Sequence, residues 1–288
     1  GLLDALGRAQ AASGDTNQAV SSFNKLAQLL PKSPAPFLRL ADVQWAAKNQ
    51  DAAVQALKRA LGVDPTNLQA QRGLVDAYLA TDKPADALTV ARQIRQQRPK
   101  QDVGYLIEGG IEASQKRWDK ALVVYREGLK AVPNGTELAT RTHVALMASK
   151  QEAEAARHAA AWVKAHPQDA GFRFYLGDLA LAQRDLAQAE AQYREVLALQ
   201  PENALALNNV AWLMATAKKP GAVAMAEKAV ALLPDRPVIM DTLATALASE
   251  GQPAKGVEVL RSALKLQPDN PQLRLNLAKL MIQAGDKA

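Results

Sequence analysis

Ala198-Leu199-Gln200-Pro201 ends one apolar helical run, and its proline belongs to a ladder: Pro31, Pro65, Pro99, Pro133, Pro167, Pro201, Pro234 and Pro268. Successive prolines stand 34 residues apart, with one step of 33 between Pro201 and Pro234. A fixed period of that size marks a repeat array rather than a single globule. Proline has no N–H and cannot continue the helix it follows, so each one separates one unit from the next. Eight repeats follow, and such a chain grows by adding units rather than by enlarging one core.

Within each period, two apolar stripes at helical spacing flank a short polar turn, as in Phe172 to Ala182, then Gln183-Arg184-Asp185, then Leu186 to Leu199. Each unit is therefore expected to be a helix hairpin. Twelve residues before each repeat-closing proline stand Ala19, Ala53, Ala87, Ala121, Ala155, Ala189, Ala222 and Gly256. Side chains this small let the two helices of a hairpin cross closely. Leu6, Leu40, Leu74, Leu176, Val210, Leu243 and Leu277 recur on the first helix as expected core, and Gly7, Gly109 and Gly177 follow such positions where backbones approach. Ser33, Asn67, Asp169, Asn203 and Asn270 lie two residues past their prolines and can cap the next helix, with Pro34 and Pro271 in its first turn. The fold class is all-α: hydrophobic residues make up 48 % of the chain and aromatics 5 %, a mixture that suits close-packed helices and gives a sheet little support.

The pattern Leu3-x2-Leu6-Gly7 … Ala19-x3-Phe23 … Pro31, repeated as Leu176-Gly177 … Ala189-x3-Tyr193 … Pro201, resembles the tetratricopeptide repeat (TPR) over essentially the whole chain. The resemblance implies a right-handed superhelical solenoid of antiparallel helix pairs, a single array over residues 1–288 of about eight repeats plus a terminal helix, Pro271 to Ala284. Three departures stand out. Repeat four carries Glu108 and Glu112 where the family has leucine and tyrosine, and repeat five carries Thr142 and His143 with an alanine-rich second helix. Those two units are expected to pack least well. Repeat seven is one residue short at Ala217-Lys218-Lys219-Pro220-Gly221, which should tighten its internal turn.

The opening Gly1-Leu2-Leu3-Asp4 begins inside a helical pattern, so the chain is expected to be a segment of a longer protein. Asn203-Ala204-Leu205-Ala206-Leu207-Asn208-Asn209-Val210-Ala211-Trp212-Leu213, Asp241-Thr242-Leu243-Ala244 and Gly251-Gln252-Pro253-Ala254-Lys255-Gly256 are similar to the large TPR proteins of bacterial exopolysaccharide and PEP-CTERM/exosortase systems. That likeness implies a place in the bacterial periplasm or cell envelope, with a cytoplasmic adaptor as the alternative.

The residues exclude most chemistry. Without cysteine there are no disulfides, thiolate zinc sites or cysteine nucleophiles. G-x-S-x-G, the phosphate-binding G-x-x-x-x-G-K-S/T and H-E-x-x-H are absent. His143, His158 and His166 do not stand three or four residues apart, as two metal ligands on one helical face would. No catalytic set, metal site or cofactor is expected. The net charge is +6, and its nearest approach to a cluster, Arg92, Arg95, Arg98 and Lys100, suits cations at a helix C-terminus. Lacking interleaved aromatics, it is not read as a nucleic-acid surface. No apolar run approaches the ~20 residues that cross a bilayer.

What remains is the surface that the TPR resemblance assigns to the first helices, which line a concave groove in that family. Toward the C-terminus this groove would carry Phe174, Tyr175, Asp178, Asn208, Asn209, Trp212 and Asp241, aromatic faces beside amides. Toward the N-terminus it would carry Arg8, Arg39, Asp42, Trp45, Arg72 and Asp76, charges of mixed sign. Leu106, Ile107, Gly110, Arg141 and Val144 lie between, with little polar grip. The expected function is a non-catalytic scaffold holding an extended peptide or partner protein, with the C-terminal set as principal site. A carbohydrate ligand stacked on Trp45, Tyr175 and Trp212 is the alternative from another class.

Overall fold

The computed structural model describes residues 1–285. Among them every regular element is a helix: α1 (Leu2–Ala12), α2 (Thr16–Leu29), α3 (Ala35–Ala46), α4 (Gln50–Val63), α5 (Leu68–Ala80), α6 (Pro84–Gln97), α7 (Val103–Ser114), α8 (Trp118–Ala131), α9 (Thr136–Ala148), α10 (Glu152–Ala165), α11 (Ala170–Ala182), α12 (Leu186–Leu199), α13 (Ala204–Thr216), α14 (Ala222–Leu232), α15 (Pro237–Ser249), α16 (Pro253–Leu266) and α17 (Pro271–Ala284). The all-α hairpin repeat read from the sequence is the fold. The chain forms two compact units, Gly1–Ala159 and Ala160–Ala288, divided within α10. In the first, each helix from α1 to α9 packs on the next; in the second the same holds from α11 to α17.

The small residues sit where the helices of a hairpin cross. Ala19, Ala53, Ala87, Ala121, Ala155, Ala189 and Ala222 are at most 1 % exposed. At Gly256 even a Cβ would come within 2.8 Å of the Ala244 carbonyl oxygen and 2.5 Å of Leu280. In three hairpins a second interlock lies four residues further on. A Cβ at Gly7 would stand 2.6 Å from the Phe23 ring, at Gly109 2.2 Å from Tyr125, and at Gly177 2.6 Å from Tyr193. The glycine of the first helix is the seat for the aromatic ring of the second. Leu40, Leu74 and Val210 are buried as expected, whereas Leu6 is 45 % exposed, because α1 packs mainly on α2.

Every hairpin turn holds one residue in the left-handed region: Gly14, Lys48, Asp82, Lys116, Lys150, Arg184, Lys218 and Gly251, at φ between 52° and 83°. The turn is closed as at Lys116, whose N–H donates to the Ala113 carbonyl at 2.9 Å while Arg117 N–H reaches back to Glu112 O at 2.9 Å. That pattern ends a helix by turning its chain through positive φ. Repeat seven loses its residue at the start of its second helix. Gly221 caps α14 at φ 90°, and α14 has 11 residues instead of 14, which returns Ala222 to the buried crossing position.

Asn67, Asp169, Asn203 and Asn270 cap their helices as the sequence suggests. Ser33 meets only Ala35 N–H, at 3.3 Å, because Pro34 is itself the N-cap of α3 rather than part of its first turn. Asp15 and Asp185 cap α2 and α12.

The departures in repeats four and five are not gaps in the packing. Glu108 and Glu112 are 4 % and 3 % exposed. Glu108 accepts from Arg92 Nε at 3.0 Å and stands 3.3 Å from Arg95, which also pairs with Glu127 at 2.9 Å; Glu112 pairs with Arg117. Arg92 and Arg95 therefore do more than complement a helix dipole: they neutralise a buried carboxylate on the next helix. Thr142 donates to the Leu138 carbonyl at 2.8 Å. The rings of His143 and His158 lie 6.5 Å apart, with His158 Nε2 3.0 Å from Ala139 O. Loose packing does not follow from these residues, because each polar substitution brings its partner and Leu138 and Leu146 remain at most 1 % exposed around them.

Candidate functional site

In the second unit, α11, α12 and α13 bring together three of the sequence-predicted residues through a fourth that the sequence reading left in the core. Tyr193, on α12, has its ring seated on Gly177 and is 0 % exposed, yet its hydroxyl donates to Asp178 Oδ1 at 2.6 Å. The Asn209 amide beside the same hydroxyl draws its pKa down, and Asn208 Nδ2 donates to Asn209 Oδ1 at 3.2 Å. Burial first, then the Asp178 hydrogen bond, push the Tyr193 pKa well above its usual value.

One carboxylate fixes the direction of this relay. Asp178 only accepts, so Tyr193 donates to it. A lowered tyrosine pKa is the effect of an amide N–H facing the phenol oxygen, and the Asn209 oxygen accepts from Asn208. The last group, Asn208 Oδ1, is buried in a side chain 8 % exposed and meets no hydrogen-bond donor. Phe174 stands edge-on to Tyr193 at 5.3 Å and is half-buried. Trp212 is 38 % exposed, one turn beyond Asn208 and Asn209 and so on the same face of α13.

The other two predicted residues are engaged elsewhere. Tyr175 is half-buried and tilts against Phe172 at 5.7 Å; burial raises its pKa to about 12. Asp241 accepts from Asn276 Nδ2 with both oxygens at 2.9 Å, and burial raises its pKa while that bond lowers it. The short α14 is accompanied by direct packing of α13 on α15.

In the first unit the charged set forms local pairs. Arg8 and Arg39 both reach Asp4, at 3.1 and 3.3 Å, and Arg39 lies 4.0 Å from Asp42. Arg72 and Asp76 stay exposed without an ion pair among the described residues. Trp45 is 39 % exposed and borders a hollow of about 330 Å³ with Asp42, Leu57, Gly73 and Asp76. A larger hollow of about 540 Å³ is lined by Leu106, Gly110, Trp118, Tyr125, Arg141 and Val144.

The Asp178–Tyr193 link was not legible as a functional feature, since Tyr193 occupies the position that Phe23 fills in repeat one. Its signal lies in a combination: glycine at 177, an acid at 178, and tyrosine rather than phenylalanine at 193. Among the described residues no group of three or more histidine, aspartate or glutamate side chains is placed to hold a metal ion, and no helix is long and apolar enough to cross a membrane.

Two tetratricopeptide-repeat family models match the chain, one over residues 45–107 and 247–288, the other over 5–67, 145–204 and 176–237. The "TPR repeat-containing protein PA4667" of Pseudomonas aeruginosa is 27 % identical over 229 residues, 78 % of this chain; the chain spans 33 % of that relative's length. A chain in the crystal structure of the APC/C hetero-tetramer Cut9–Hcn1 superposes over 92 % of this chain and 52 % of its own at a TM-score of 0.52 and 12 % identity, a likeness that shows the fold alone. The second family model by itself covers more than half of the residues, and the period, the buried alanines and the helix hairpins agree with it: the chain belongs to the tetratricopeptide-repeat family.

Proposed function

We propose that this chain is a non-catalytic scaffold that binds an extended peptide segment of a partner protein on the first helices of repeats six to eight. TPR arrays serve as protein–protein interaction scaffolds, and the carrying observation here is the pair of hydrogen bonds Tyr193–Asp178 and Asn208–Asn209, which hold polar side chains in place on the helices that carry the exposed Trp212. An extended ligand exposes backbone N–H and C=O groups that amides satisfy while an aromatic face covers side chains. The double substitution Asn209→Ala with Trp212→Ala is expected to weaken partner capture by the immobilised chain by at least ~2 kcal/mol with an unchanged helical circular dichroism spectrum. If Arg39→Ala with Arg72→Ala abolishes capture and the Asn–Trp pair does not, the site is in the first unit and this reading fails.

The same proposal places the protein in bacterial exopolysaccharide export or protein sorting at the cell envelope. Its support is the likeness of residues 203–213, 241–244 and 251–256 to the TPR proteins of those systems. Recovery of the protein only in the cytosolic fraction of a bacterial host would favour the cytoplasmic adaptor. The exposure of Trp45 and Trp212, 39 % and 38 %, is what favours a glycan; quenching or blue-shift of tryptophan fluorescence on titration with oligosaccharides would decide for it.

A further inference from the structure

The peptide-binding reading leaves the chemistry of the ligand open, and the charge on the first helices of repeats six to eight narrows it. α13 has no charged residue at all, and α15 has only Asp241, whose two oxygens Asn276 already engages. α11 has Arg173 and Asp178. Arg173 is 15 % exposed at its side chain and faces Glu195 at 3.6 Å, so Asp178 is left as the one charge there that is exposed and without a cation. Its Oδ1 is held by Tyr193 and its Oδ2 makes no bond. Behind it the Tyr193 hydroxyl donates to the carboxylate and Asn208 donates to Asn209, so both donors point toward the Asp178 side of the face. A surface that shows an exposed carboxylate without a cation, with an exposed indole on the next first helix, complements a cation.

We infer that the segment bound by repeats six to eight is basic, placing a lysine or arginine side chain on Asp178. This rests on the peptide-binding reading of the same face. Asp178 is the contact residue; Tyr193 is a positioning residue that holds the carboxylate in one rotamer from a ring which cannot move off Gly177. The first unit differs in that cations stand beside its acids: Arg8, Arg39 and Arg141 each have an acid on their own helix, at 3.1, 4.0 and 2.7 Å, and Asp76, which makes no ion pair among the described residues, has Arg72 one turn earlier on α5.

The test is to pan a phage-displayed random dodecapeptide library on the immobilised chain and measure the enriched peptides by fluorescence anisotropy. Lysine and arginine should be enriched, and affinity should fall as salt rises. Asp178→Asn keeps an acceptor for Tyr193 but removes the charge, and should weaken the basic peptides about tenfold; Asp178→Lys should restore binding to a peptide whose lysine is changed to glutamate. Tyr193→Phe should weaken binding by a smaller factor with the charge still present. Peptides that depend on Asn209 and Trp212 but are neutral or acidic, and are indifferent to Asp178→Asn, would overturn this inference and leave the groove standing. Peptides indifferent to Asn209, Trp212 and Asp178 alike, or no enrichment over an unrelated helical protein, would sink both.

Discussion

Repeat four and repeat six use the same three positions differently. In the first unit they are Gly109 and Gly110 on α7 with Tyr125 on α8; in the second they are Gly177 and Asp178 on α11 with Tyr193 on α12. Both tyrosine rings lie on the preceding glycine and are nearly inaccessible, at 2 % and 0 %. Where the next residue is aspartate, the hydroxyl is bound at 2.6 Å and a polar relay is built on it. Where it is Gly110, with open space around its Cα, no protein group meets the Tyr125 hydroxyl and a hollow of about 540 Å³ opens beside it. One side chain thus decides whether a core tyrosine anchors a binding face or borders a cavity. The contrast extends to charge, since the acids on the first helices of the first unit have arginines on the same helix, as Asp4 has Arg8 and Asp76 has Arg72, while Asp178 has no cation beside it among the described residues.

The largest effect expected from breaking this comparison is at the seats themselves. Gly109→Ala and Gly177→Ala should each destabilise by about 2–3 kcal/mol in urea unfolding, since the added methyl would overlap a ring that the core holds in place. Gly110→Ala should instead stabilise by about 0.5–1 kcal/mol through helix propensity alone. If Gly109→Ala proves as benign as Gly110→Ala, the rings are not confined as described.

Removing the hydroxyls sharpens the contrast at smaller cost. Tyr193→Phe should lose about 1–2 kcal/mol, the worth of a hydrogen bond to a charged acceptor, and Tyr125→Phe less than about 0.5 kcal/mol. Equal losses would mean that the Asp178 bond contributes nothing to stability. At the hairpin turns the two units should respond alike. Lys116→Gly in one and Lys218→Gly in the other should each gain up to about 1 kcal/mol, because both lysines adopt positive φ, at 58° and 52°, which glycine tolerates without strain. A loss at either would indicate that the lysine makes a stabilising contact outweighing its backbone strain.

The weakest but most selective probe is pH. Burial depresses the pKa of His143, with the neighbouring His158 adding to the effect; burial likewise depresses His158, opposed by the Ala139 carbonyl, with Arg126 lowering and Glu154 raising it. For a histidine with a folded pKa below its unfolded value, stability is full above the unfolded pKa and is lost as pH falls beneath it. Protection factors, which take out the intrinsic pH dependence of amide exchange, should therefore fall in residues 136–159 between about pH 7 and 5, before ordinary carboxylates titrate, and His143→Phe should flatten that response. The tyrosines act with the opposite sign. Tyr175, raised to about 12 by burial, and Tyr193, raised further still, contribute stability that is present below the ordinary tyrosine pKa and lost as pH climbs past it. Absorbance titration that shows Tyr175 ionising near pH 10 would contradict its burial.

The division between these two kinds of knowledge follows from what a sequence can encode locally. The proline ladder, the small residue twelve positions earlier and the polar turn are properties of single helices and their ends, set by backbone geometry and propensity, so the number and kind of the hairpins could be read directly. The buried alanines followed as well, because close crossing leaves room for nothing larger. Which polar groups meet across the crossings is another matter. Glu108 looked like a flaw in a leucine position until α6 supplied Arg92 and Arg95, and Tyr193 looked like filler until its ring, seated on Gly177, carried the hydroxyl to Asp178. Those pairings join residues 13 to 16 positions apart on different helices. They depend on crossing geometry and rotamers to within an ångström, which the pattern of apolar residues does not carry and only the packed helices decide.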